Sequence, residues 1–483
     1  MARNKAQVKK KGSAKLVLTK DMHGISRQKI SPKALSIIER LQSAHYKAYL
    51  VGGCIRDLLA GKTPKDFDIS TNATPEQVRR VFDNSRIIGR RFKIVHVVCG
   101  KEIFEVTTFR GDSNSPKAQN LRVSSNSGML VRDNVYGKDI SEDASRRDFT
   151  INAIYYDSHN ETILDFHGGL YDLNEGVIDI IGDPETRYLE DPVRIIRALR
   201  FSAKLGFKLS KRTSDPIAKL AHNLREVSNA RMFEEVNKLF LTGHGAQSFD
   251  ILRHFHIFEI LFPTLEKFKE NQTFIDFVHY ALSSSDKRYT QDKHNTPHFL
   301  YAVLLWSYFQ SLVYKMQTYN ECSINPLSLR EIACNAFARV IKEQSVMTAI
   351  PMLFTENIRS LWMKQFVLLN ITDKDTVEKL CRTTMFRAAY DFLKLRSHFE
   401  PDLALYVDFW MPYYEESARQ AKLLRNESKN KFKHKKEARI SKKEKNRQNS
   451  NPASEGFKKE QKSEVNDRLA KARAWRAAMN LEP

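Results

Sequence analysis

Two aspartates separated by one residue are the first feature of this sequence that could do chemistry. Asp66 and Asp68 lie in the run DFDIS (66–70), whose alternation of polar and apolar residues predicts a strand. On a strand the two carboxylates share one face, so they repel each other unless a cation lies between them. Oxygen ligands favour Mg²⁺ or Mn²⁺, and Mg²⁺ is usually held by carboxylates and substrate phosphates together. A solvated strand edge is the alternative for such a pair taken alone.

A pair of glycines, Gly52 and Gly53, lies between a predicted strand and a predicted helix, fourteen residues before Asp66. Glycines in this position let backbone N–H groups approach a phosphate at the positive end of the helix dipole. Arg56, one turn into the helix, could add positive charge. A plain turn is the alternative for the glycines alone. A phosphate cradle followed by paired carboxylates predicts nucleotidyl transfer, in which metal ions stabilise the attacking and leaving oxygens.

The elements that must position these residues follow from the hydrophobic pattern. Strands are predicted at 46–51 and 66–70, with a hairpin of strands at 92–99 and 102–109. Helices are predicted at 54–61, at 74–82 with Thr74 as N-cap, and again from Ser141. Residues 111–134 are polar and predict a long loop, and strand pieces return at 161–166 and 176–181. Beyond residue 190 nearly every segment predicts helix, including 191–206 and 230–243. The pattern therefore predicts a mixed α/β head followed by an all-helical region.

The distribution of charge indicates a polyanionic partner. The 483 residues include 79 Lys and Arg against 57 Asp and Glu, a net charge of +22. Residues 1–20 contribute +7 and residues 419–483 contribute +12, which leaves +3 for the remainder. A nearly neutral body with two basic arms is typical of a protein that binds a nucleic acid backbone. A solvated tail without function is the alternative.

Composition also limits the class of protein. At 41% hydrophobic residues the chain can bury substantial cores, whereas its last sixty residues hold too few large apolar residues and are expected to be disordered. We find no apolar run of about 20 residues and no secretory signal, so we expect a cytoplasmic protein without a membrane partner. The five cysteines are far apart and lack CxxC spacing, which argues against a zinc or disulfide framework.

Five ordered motifs resemble a known family. The run LVGGCIRDLLAG…KDFDIST is similar to the nucleotidyltransferase signature of the polymerase β superfamily, in the branch that bacterial poly(A) polymerases share with tRNA CCA-adding enzymes. Four further motifs follow in matching order: RRDFTINA (146–153), DFHGGLYDL (165–173), EDPVRIIRALRF (190–201) and ARMFEEVNKLF (230–240). The resemblance covers roughly residues 30–265. Together with the charge distribution and composition, it predicts a basic arm (1–30), a nucleotidyltransferase head with a mixed sheet flanked by helices (31–180), a helical neck (181–265), a helical RNA-binding body (266–418) and a disordered basic arm (419–483).

The resemblance assigns roles to the acidic residues. It implies that Asp66 and Asp68 bind catalytic Mg²⁺ or Mn²⁺. Asp148 corresponds to an essential acidic position of the poly(A) polymerases, and we expect it to be catalytic. Glu105 lies on the strand where the superfamily commonly places a third metal carboxylate, so the choice of residue that contacts metal stays open between Glu105 and Asp148.

The resemblance also implies a nucleotide site. Gly52, Gly53 and Arg56 are expected to face the triphosphate of ATP, Arg147 to bind the nucleotide, and Arg197 to lie near it. Asp191 and Arg194, at i and i+3 on one helical turn, would contact the incoming base. An internal ion pair is the alternative for Asp191 and Arg194.

Two features favour polyadenylation of RNA 3′ ends over CCA addition. The segment IIGRRFKIVHVV (87–98) resembles the poly(A) polymerases, and the basic C-terminal arm carries Phe432, Phe457 and Trp475 that could stack on RNA bases. A basic turn, or a phosphate contact without bearing on specificity, is the alternative interpretation of Arg90 and Arg91. The expected role is in RNA decay or processing, with RNA-decay proteins as further possible partners. The alternatives are a CCA-adding enzyme and, from another class, an RNA-binding protein without catalytic activity.

Overall fold

A computed structural model describes residues 15–89, 93–111, 122–123, 130–131, 136–293, 295–321, 327–370 and 374–448. Several predictions from the sequence lie wholly or partly outside these residues: the first fourteen residues of the N-terminal arm, Arg90 and Arg91, most of the loop at 111–134, and the arm beyond 448. Among the described residues, none of the helices is both long enough and apolar enough to cross a membrane.

The strands are short and lie mostly in the first 180 residues. They are β1 (Leu16–Leu18), β2 (Ala48–Val51), β3 (Asp68–Thr71), β4 (Ser85–Ile88), β5 (Ile94–Cys99), β6 (Glu102–Thr108), β7 (Arg122–Val123), β8 (Leu130–Val131), β9 (Ile154–Asp157), β10 (Thr162–Asp165), β11 (Val177–Ile178) and β12 (Lys208–Leu209).

Helices flank the strands and then form the rest of the chain. They are α1 (Lys20–His23), α2 (Pro32–Ser43), α3 (Gly53–Leu59), α4 (Pro75–Val81), α5 (Ile140–Arg146), α6 (Gly169–Glu175), α7 (Pro184–Glu190), α8 (Val193–Leu205), α9 (Lys211–Leu220), α10 (Asn229–Phe240), α11 (Gly245–His254), α12 (Phe258–Leu261), α13 (Gln272–Thr290), α14 (Pro297–Leu304), α15 (Trp306–Asn320), α16 (Leu329–Gln344), α17 (Met352–Leu368), α18 (Lys374–Cys381), α19 (Phe386–Ser397) and α20 (Ala404–Gln448).

A mixed sheet of eight strands forms the head, in the order β1-β10-β9-β2-β3-β6-β5-β4. Neighbouring strands are antiparallel except β3 and β6, which run parallel with Ile69 opposite Val106. Asp68 and Glu105 are the residues directly before these partners, so the parallel pairing brings them side by side. The mixed sheet with flanking helices and the helical region beyond it confirm the predicted fold class.

Local sequence signals account for several element boundaries. Thr74 caps α4 as predicted: its hydroxyl accepts from the backbone N–H of Gln77, and the Gln77 side chain accepts from the Thr74 N–H. The predicted hairpin is also confirmed, as β5 and β6 pair from Cys99 and Glu102 outward. Gly100 in its loop has φ 70°, a conformation that glycine adopts without steric cost.

Three boundaries differ from the prediction. Strand β3 begins at Asp68, so Asp66 lies just before the strand. Helix α5 is capped by Asp139, whose carboxylate accepts from the N–H of Ser141, so Ser141 is already inside the helix. The helix ends at Arg146 because Arg147 has extended backbone angles, and Asp148 therefore lies in the link to a 3₁₀ helix at Thr150–Asn152.

Two large hydrophobic clusters lie on either side of this link. One fills the head around Leu50, Ile69 and Val106. The other runs through the helices from Val193 to Phe392 and also includes Phe149, Ile151, Ile178 and Ile180. The segment that carries Arg147 and Asp148 is thus anchored in the helical core by Phe149, directly beside the head.

Part of the C-terminal arm is helical. The sequence predicts disorder for 419–483, but α20 continues without a break to Gln448. Residues 413–448 contain no Gly or Pro and are rich in Lys, Glu, Arg and Ala, which have high helix propensity. A segment with too few apolar residues for a core can still form a helix of this kind.

Candidate active site

Gly52 lies at the centre of the candidate site, between β2 and α3. Its backbone has φ 82° and ψ −133°, angles that a residue with a side chain rarely adopts. A Cβ atom at this position would lie 3.6 Å from Nη1 of Arg147, 3.7 Å from the carbonyl oxygen of Asn152 and 3.9 Å from Oδ2 of Asp68. The structure therefore brings the glycine pair, Arg147 and the second aspartate together around one space, as the sequence predicts for a phosphate beside a carboxylate.

The carboxylates near Gly52 repel one another, and the positive charge of Arg147 does not offset this repulsion and the cost of burial. Burial raises the pKa of Asp68 to about 6, and the neighbouring Glu105 and Asp66 act in the same direction against Arg147. Glu105 is half exposed, and its Oε1 lies 3.6 Å from Nε2 of His96 on the adjacent strand. A carboxyl group destabilised in this way fits a divalent cation, which would favour its ionised form.

Among the described residues, no group of three or more His, Cys, Asp or Glu side chains is arranged to hold a metal ion. Asp66 and Asp68 could supply one or two carboxylate ligands, which matches how Mg²⁺ is held when substrate phosphates complete its coordination. The donor set is hard oxygen only, so the residues present fit Mg²⁺ or Mn²⁺.

Arg147 is held in place by two partners. Its Nε donates to the hydroxyl of Tyr155 at 2.9 Å, and its Nη2 lies 3.4 Å from Oδ2 of Asp143. The Tyr155 hydroxyl in turn donates to Asp143 at 2.7 Å, and Ser70 on β3 donates to the same carboxylate at 3.0 Å. This network fixes the guanidinium beside Gly52, where it can neutralise a phosphate without first being ordered.

Asp148 is fully engaged with protein groups. Its Oδ2 accepts from Arg197 Nε at 2.8 Å and also from Arg197 Nη2, and its Oδ1 accepts from the Phe149 N–H at 2.8 Å. Burial alone would raise its pKa, but the Arg197 guanidinium outweighs burial and holds the pKa at about 2. Asp148 therefore stays ionised at neutral pH.

Arg56 is buried and connects the phosphate cradle to Asp148. Its Nη1 donates to Oδ1 of Asn152 at 2.8 Å, and its Nε and Nη2 donate to Asp57 at 3.0 and 2.8 Å. The Asn152 amide lies 3.5 Å from Asp148 Oδ1, at the limit of a hydrogen bond. A chain of contacts thus joins α3 to Arg197 on α8. Arg56 is close to the cradle as predicted, but its guanidinium bonds to protein rather than facing an open space.

Asp191 and Arg194 are near each other but have different partners. Asp191 forms a bidentate pair with Arg231 on α10, with Nη1–Oδ1 and Nη2–Oδ2 distances of 2.9 and 2.8 Å. Arg194 Nη1 donates to the carbonyl of Arg187 at 2.6 Å and to Glu190 at 3.2 Å. Sequence analysis did not identify Arg231 as a site residue, although Arg231 lies in the motif ARMFEEVNKLF.

Arginine side chains of α7 and α8 lie close together beside this site. Burial and the neighbouring Arg194 lower the pKa of Arg187 to about 10. Burial and Arg197 lower the pKa of Arg200, whose Nε is buried without a hydrogen-bond partner. Guanidinium groups that repel one another in this way favour a bound anion.

Comparison with protein families matches three consecutive parts of the chain. These are the "Poly A polymerase head domain" at 48–179, the "Probable RNA and SrmB- binding site of polymerase A" at 206–269, and the "Polymerase A arginine-rich C-terminus" at 329–450. Poly(A) polymerase I of Salmonella typhi is 40% identical over 85% of this chain and 88% of its own length. Poly(A) polymerase I of Escherichia coli O6:H1 is 42% identical over 82% and 84%. The chain belongs to the poly(A) polymerase family.

CCA-adding enzymes are also similar to this chain, but over less of its length. A CCA-adding enzyme of Lactobacillus helveticus is 37% identical, but over 45% of the chain and 52% of its own length. A solved tRNA-processing enzyme in its apo form I superposes with a TM-score of 0.52 at 21% identity, over 79% of this chain and 91% of its own. That likeness shows that the two chains share a fold. The enzyme class comes from the poly(A) polymerase relatives, which are about 40% identical over most of this chain.

Proposed function

We propose that this enzyme transfers AMP from ATP to the 3′-hydroxyl of RNA, with release of pyrophosphate, and repeats the reaction without a template. The observation that carries the proposal is the convergence at Gly52 of a positive-φ backbone, the Arg147 guanidinium and the Asp68 carboxylate. Such a site can hold a triphosphate and a hydroxyl nucleophile together, and positioning with charge neutralisation is most of what phosphoryl transfer requires.

Each residue has a distinct part in the proposed reaction. Asp66 and Asp68 would hold Mg²⁺ or Mn²⁺, which when bound lowers the pKa of the attacking hydroxyl and neutralises charge on the phosphates. The backbone of Gly52 and Gly53 lets the triphosphate approach, and Arg147 neutralises it. Glu105 lies beside Asp68, where its charge adds to the repulsion that a bound cation would relieve.

We assign Asp148 and Arg56 to positioning. The Asp148 carboxylate holds Arg197, and Arg56 holds Asn152 below the cradle, so both act on the nucleotide through a neighbour. Asp191 and Arg231 form a rigid planar pair that can present hydrogen-bonding groups to a base, with Arg194 one turn along α8. Base choice would then rest on protein side chains in place of a template.

Extent of similarity favours polyadenylation over CCA addition. The two poly(A) polymerases compared above match over 85% and 82% of this chain, whereas the CCA-adding enzyme matches less than half of it. We further propose that the tails promote RNA turnover in the cytoplasm, where ATP and RNA are both available, and that the basic arms contact the RNA or RNA-decay proteins.

The test is incorporation of single nucleotides by the full chain in Mg²⁺. An unstructured RNA and a tRNA lacking its terminal CCA are each supplied with ATP or CTP separately. We expect long ATP-dependent tails on both RNAs. Addition that stops at CCA on the tRNA alone would establish CCA addition, and incorporation of neither nucleotide would favour an RNA-binding protein without activity.

Substitutions test the assigned residues in the same assay. Asp68→Asn and Asp66→Asn are each expected to reduce incorporation about a thousandfold or more while leaving RNA affinity intact, since electrostatic stabilisation of this kind is a large part of catalysis. Asp83→Asn is the matched control, because Asp83 is an exposed aspartate elsewhere in the head. Full incorporation by either Asp66→Asn or Asp68→Asn would overturn the assignment.

A further inference from the structure

Asp66 lies in a segment that the central sheet does not hold. The ladder between β2 and β3 begins at Asp68, two residues later, and both Asp66 and the preceding Lys65 are exposed. A carboxylate in this position needs a contact outside the sheet to fix it beside Asp68. The side chain of Lys65 makes such a contact, to a residue of the helical region that lies 224 positions further along the chain.

The ammonium group of Lys65 is held by Tyr289, near the end of α13. Its Nζ donates to the Tyr289 hydroxyl at 3.0 Å and lies 4.7 Å from the centre of the same ring. A hydrogen bond and a cation–π contact to one side chain restrict a flexible lysine more than either contact would alone. The segment that carries Asp66 is thereby joined directly to the helical region.

The turn between α10 and α11 fixes the position of Tyr289. Gly243 in this turn has φ 87°, and a Cβ atom there would lie 2.5 Å from Cδ1 of Tyr289, so the ring packs directly on the glycine backbone. One turn earlier on α13, the Asp286 carboxylate accepts from the backbone N–H groups of Gly245 and Ala246, at 2.8 and 3.0 Å. Packing and hydrogen bonds within the helical region thus place the Tyr289 ring.

We propose that Tyr289 is a positioning residue for the candidate metal site, and that it acts on Asp66 through Lys65. We call Lys65, Gly243 and Tyr289 the latch. With the latch closed, the backbone that enters β3 is held in one place, so a cation that binds Asp66 and Asp68 does not have to order the segment first. The inference rests on the proposed function for the role of Asp66.

Hydrogen exchange of the full chain, read by mass spectrometry, tests the latch without metal or nucleotide. Tyr289→Phe removes the hydroxyl but keeps the ring on Gly243, so the chain should stay folded. We expect the peptide that covers residues 62–68 to exchange several-fold faster in Tyr289→Phe and in Lys65→Ala. The double variant should exchange no faster than either single one, because both act through one contact. Unchanged exchange in both single variants would overturn the proposal.

Binding of Mn²⁺, followed by the electron paramagnetic resonance signal of the free ion, tests the effect on the metal site. Tyr289→Phe and Lys65→Ala should each weaken binding about tenfold, since groups that support a metal ligand commonly contribute this much. Lys65→Arg keeps a cation that can contact both the hydroxyl and the ring, so it should bind Mn²⁺ nearly as the unmodified chain does. The Mg²⁺ concentration needed for half-maximal incorporation should rise in parallel, with the KM for RNA unchanged.

Matched variants make the result specific. Lys62→Ala removes an exposed lysine of the same loop, and Tyr319→Phe removes the hydroxyl of a tyrosine that is 81% exposed; both should leave exchange and Mn²⁺ binding unaffected. Gly243→Ala should displace the Tyr289 ring and weaken Mn²⁺ binding. Gly206→Ala imposes similar backbone strain, at φ 69°, where a Cβ would meet no described atom within 4 Å, and should leave Mn²⁺ binding as it is.

Asp66→Asn separates this inference from the proposed function. If Asp66→Asn weakens Mn²⁺ binding and Tyr289→Phe does not, the positioning role of Tyr289 is wrong and the metal assignment stands. If Asp66→Asn binds Mn²⁺ as the unmodified chain does, the metal assignment of the proposed function is wrong. Hydrogen exchange then still decides whether the latch holds the segment before β3.

Discussion

Arg231 holds the carboxylate of Asp191 through two parallel hydrogen bonds, of 2.9 and 2.8 Å. The pair joins the start of α8 to α10, so it depends on the packing of two helices that bring together residues forty positions apart in the chain. A bidentate pair is planar and rigid, which leaves its remaining hydrogen-bonding groups fixed in direction. That property suits recognition of a base edge.

We predict that Arg231→Lys relaxes the choice of nucleotide. Lysine keeps the charge but cannot form the planar fork, so Asp191 would lose its orientation. The kcat/KM for ATP should fall about tenfold or more, while that for CTP should change less. The measurement is steady-state incorporation with each nucleotide. Arg225→Lys, at an exposed arginine, is the control, and an unchanged ratio of ATP to CTP would contradict a role in base selection.

A second prediction concerns the Asp148–Arg197 ion pair. Asp148→Asn leaves the Arg197 guanidinium without its partner in a mostly buried site, so we expect a loss of about 3 kcal/mol in the free energy of unfolding. Incorporation should also fall, with the dependence on Mg²⁺ concentration unchanged, because Asp148 positions Arg197. Urea unfolding and metal titration measure the two effects.

The double variant Asp148→Asn/Arg197→Gln is the control for that pair. It removes both charges, so it should regain much of the lost stability without regaining activity. A marked rise in the Mg²⁺ concentration needed by Asp148→Asn would instead place Asp148 at the metal.

The buried side chain of His244 predicts a pH dependence of stability. Burial, then the nearby Lys204 and Arg200, lower its pKa to about 4, from the ordinary value near 6.5. As pH falls from about 6.5 to 4 the unfolded chain takes up a proton that the folded chain does not, so stability is lost over that window. The shift corresponds to about 3 kcal/mol.

His244→Gln should remove this part of the acid destabilisation. Urea unfolding at several pH values from 7 down to about 4 would show a smaller decline for the variant than for the unmodified chain. His159→Gln, at an exposed histidine in a turn, should leave the decline as it is. Parallel curves for His244→Gln and the unmodified chain would rule out His244 as the cause.

A fourth prediction concerns the C-terminal arm. Removing residues 419–483 takes away twenty basic and eight acidic residues. RNA affinity should fall and its dependence on salt should become flatter, because fewer counterions are released on binding. The last packed aromatic residue of α20 near this point is Tyr414, so the body should remain folded. An unchanged salt slope would mean that the arm binds something other than RNA.

The sequence by itself determined the family and the class of fold. Alternating residues around Asp68, the glycine pair before α3 and the ordered motifs were enough, because strand and helix periods and the conformational freedom of glycine act over a few residues. The parallel pairing that brings Glu105 beside Asp68 required the sheet topology. The residue pattern of a strand does not predict which other strand will pair with it.

Only the tertiary structure decided how the charged residues pair. Helical spacing placed Asp191 near Arg194, yet the carboxylate binds Arg231, and Asp148 binds Arg197, forty-nine residues away. Short-range spacing shows which side chains can reach each other, but burial decides which charged side chains need a partner. A charge removed from water by the packing of distant segments pairs with whichever opposite charge the fold places beside it.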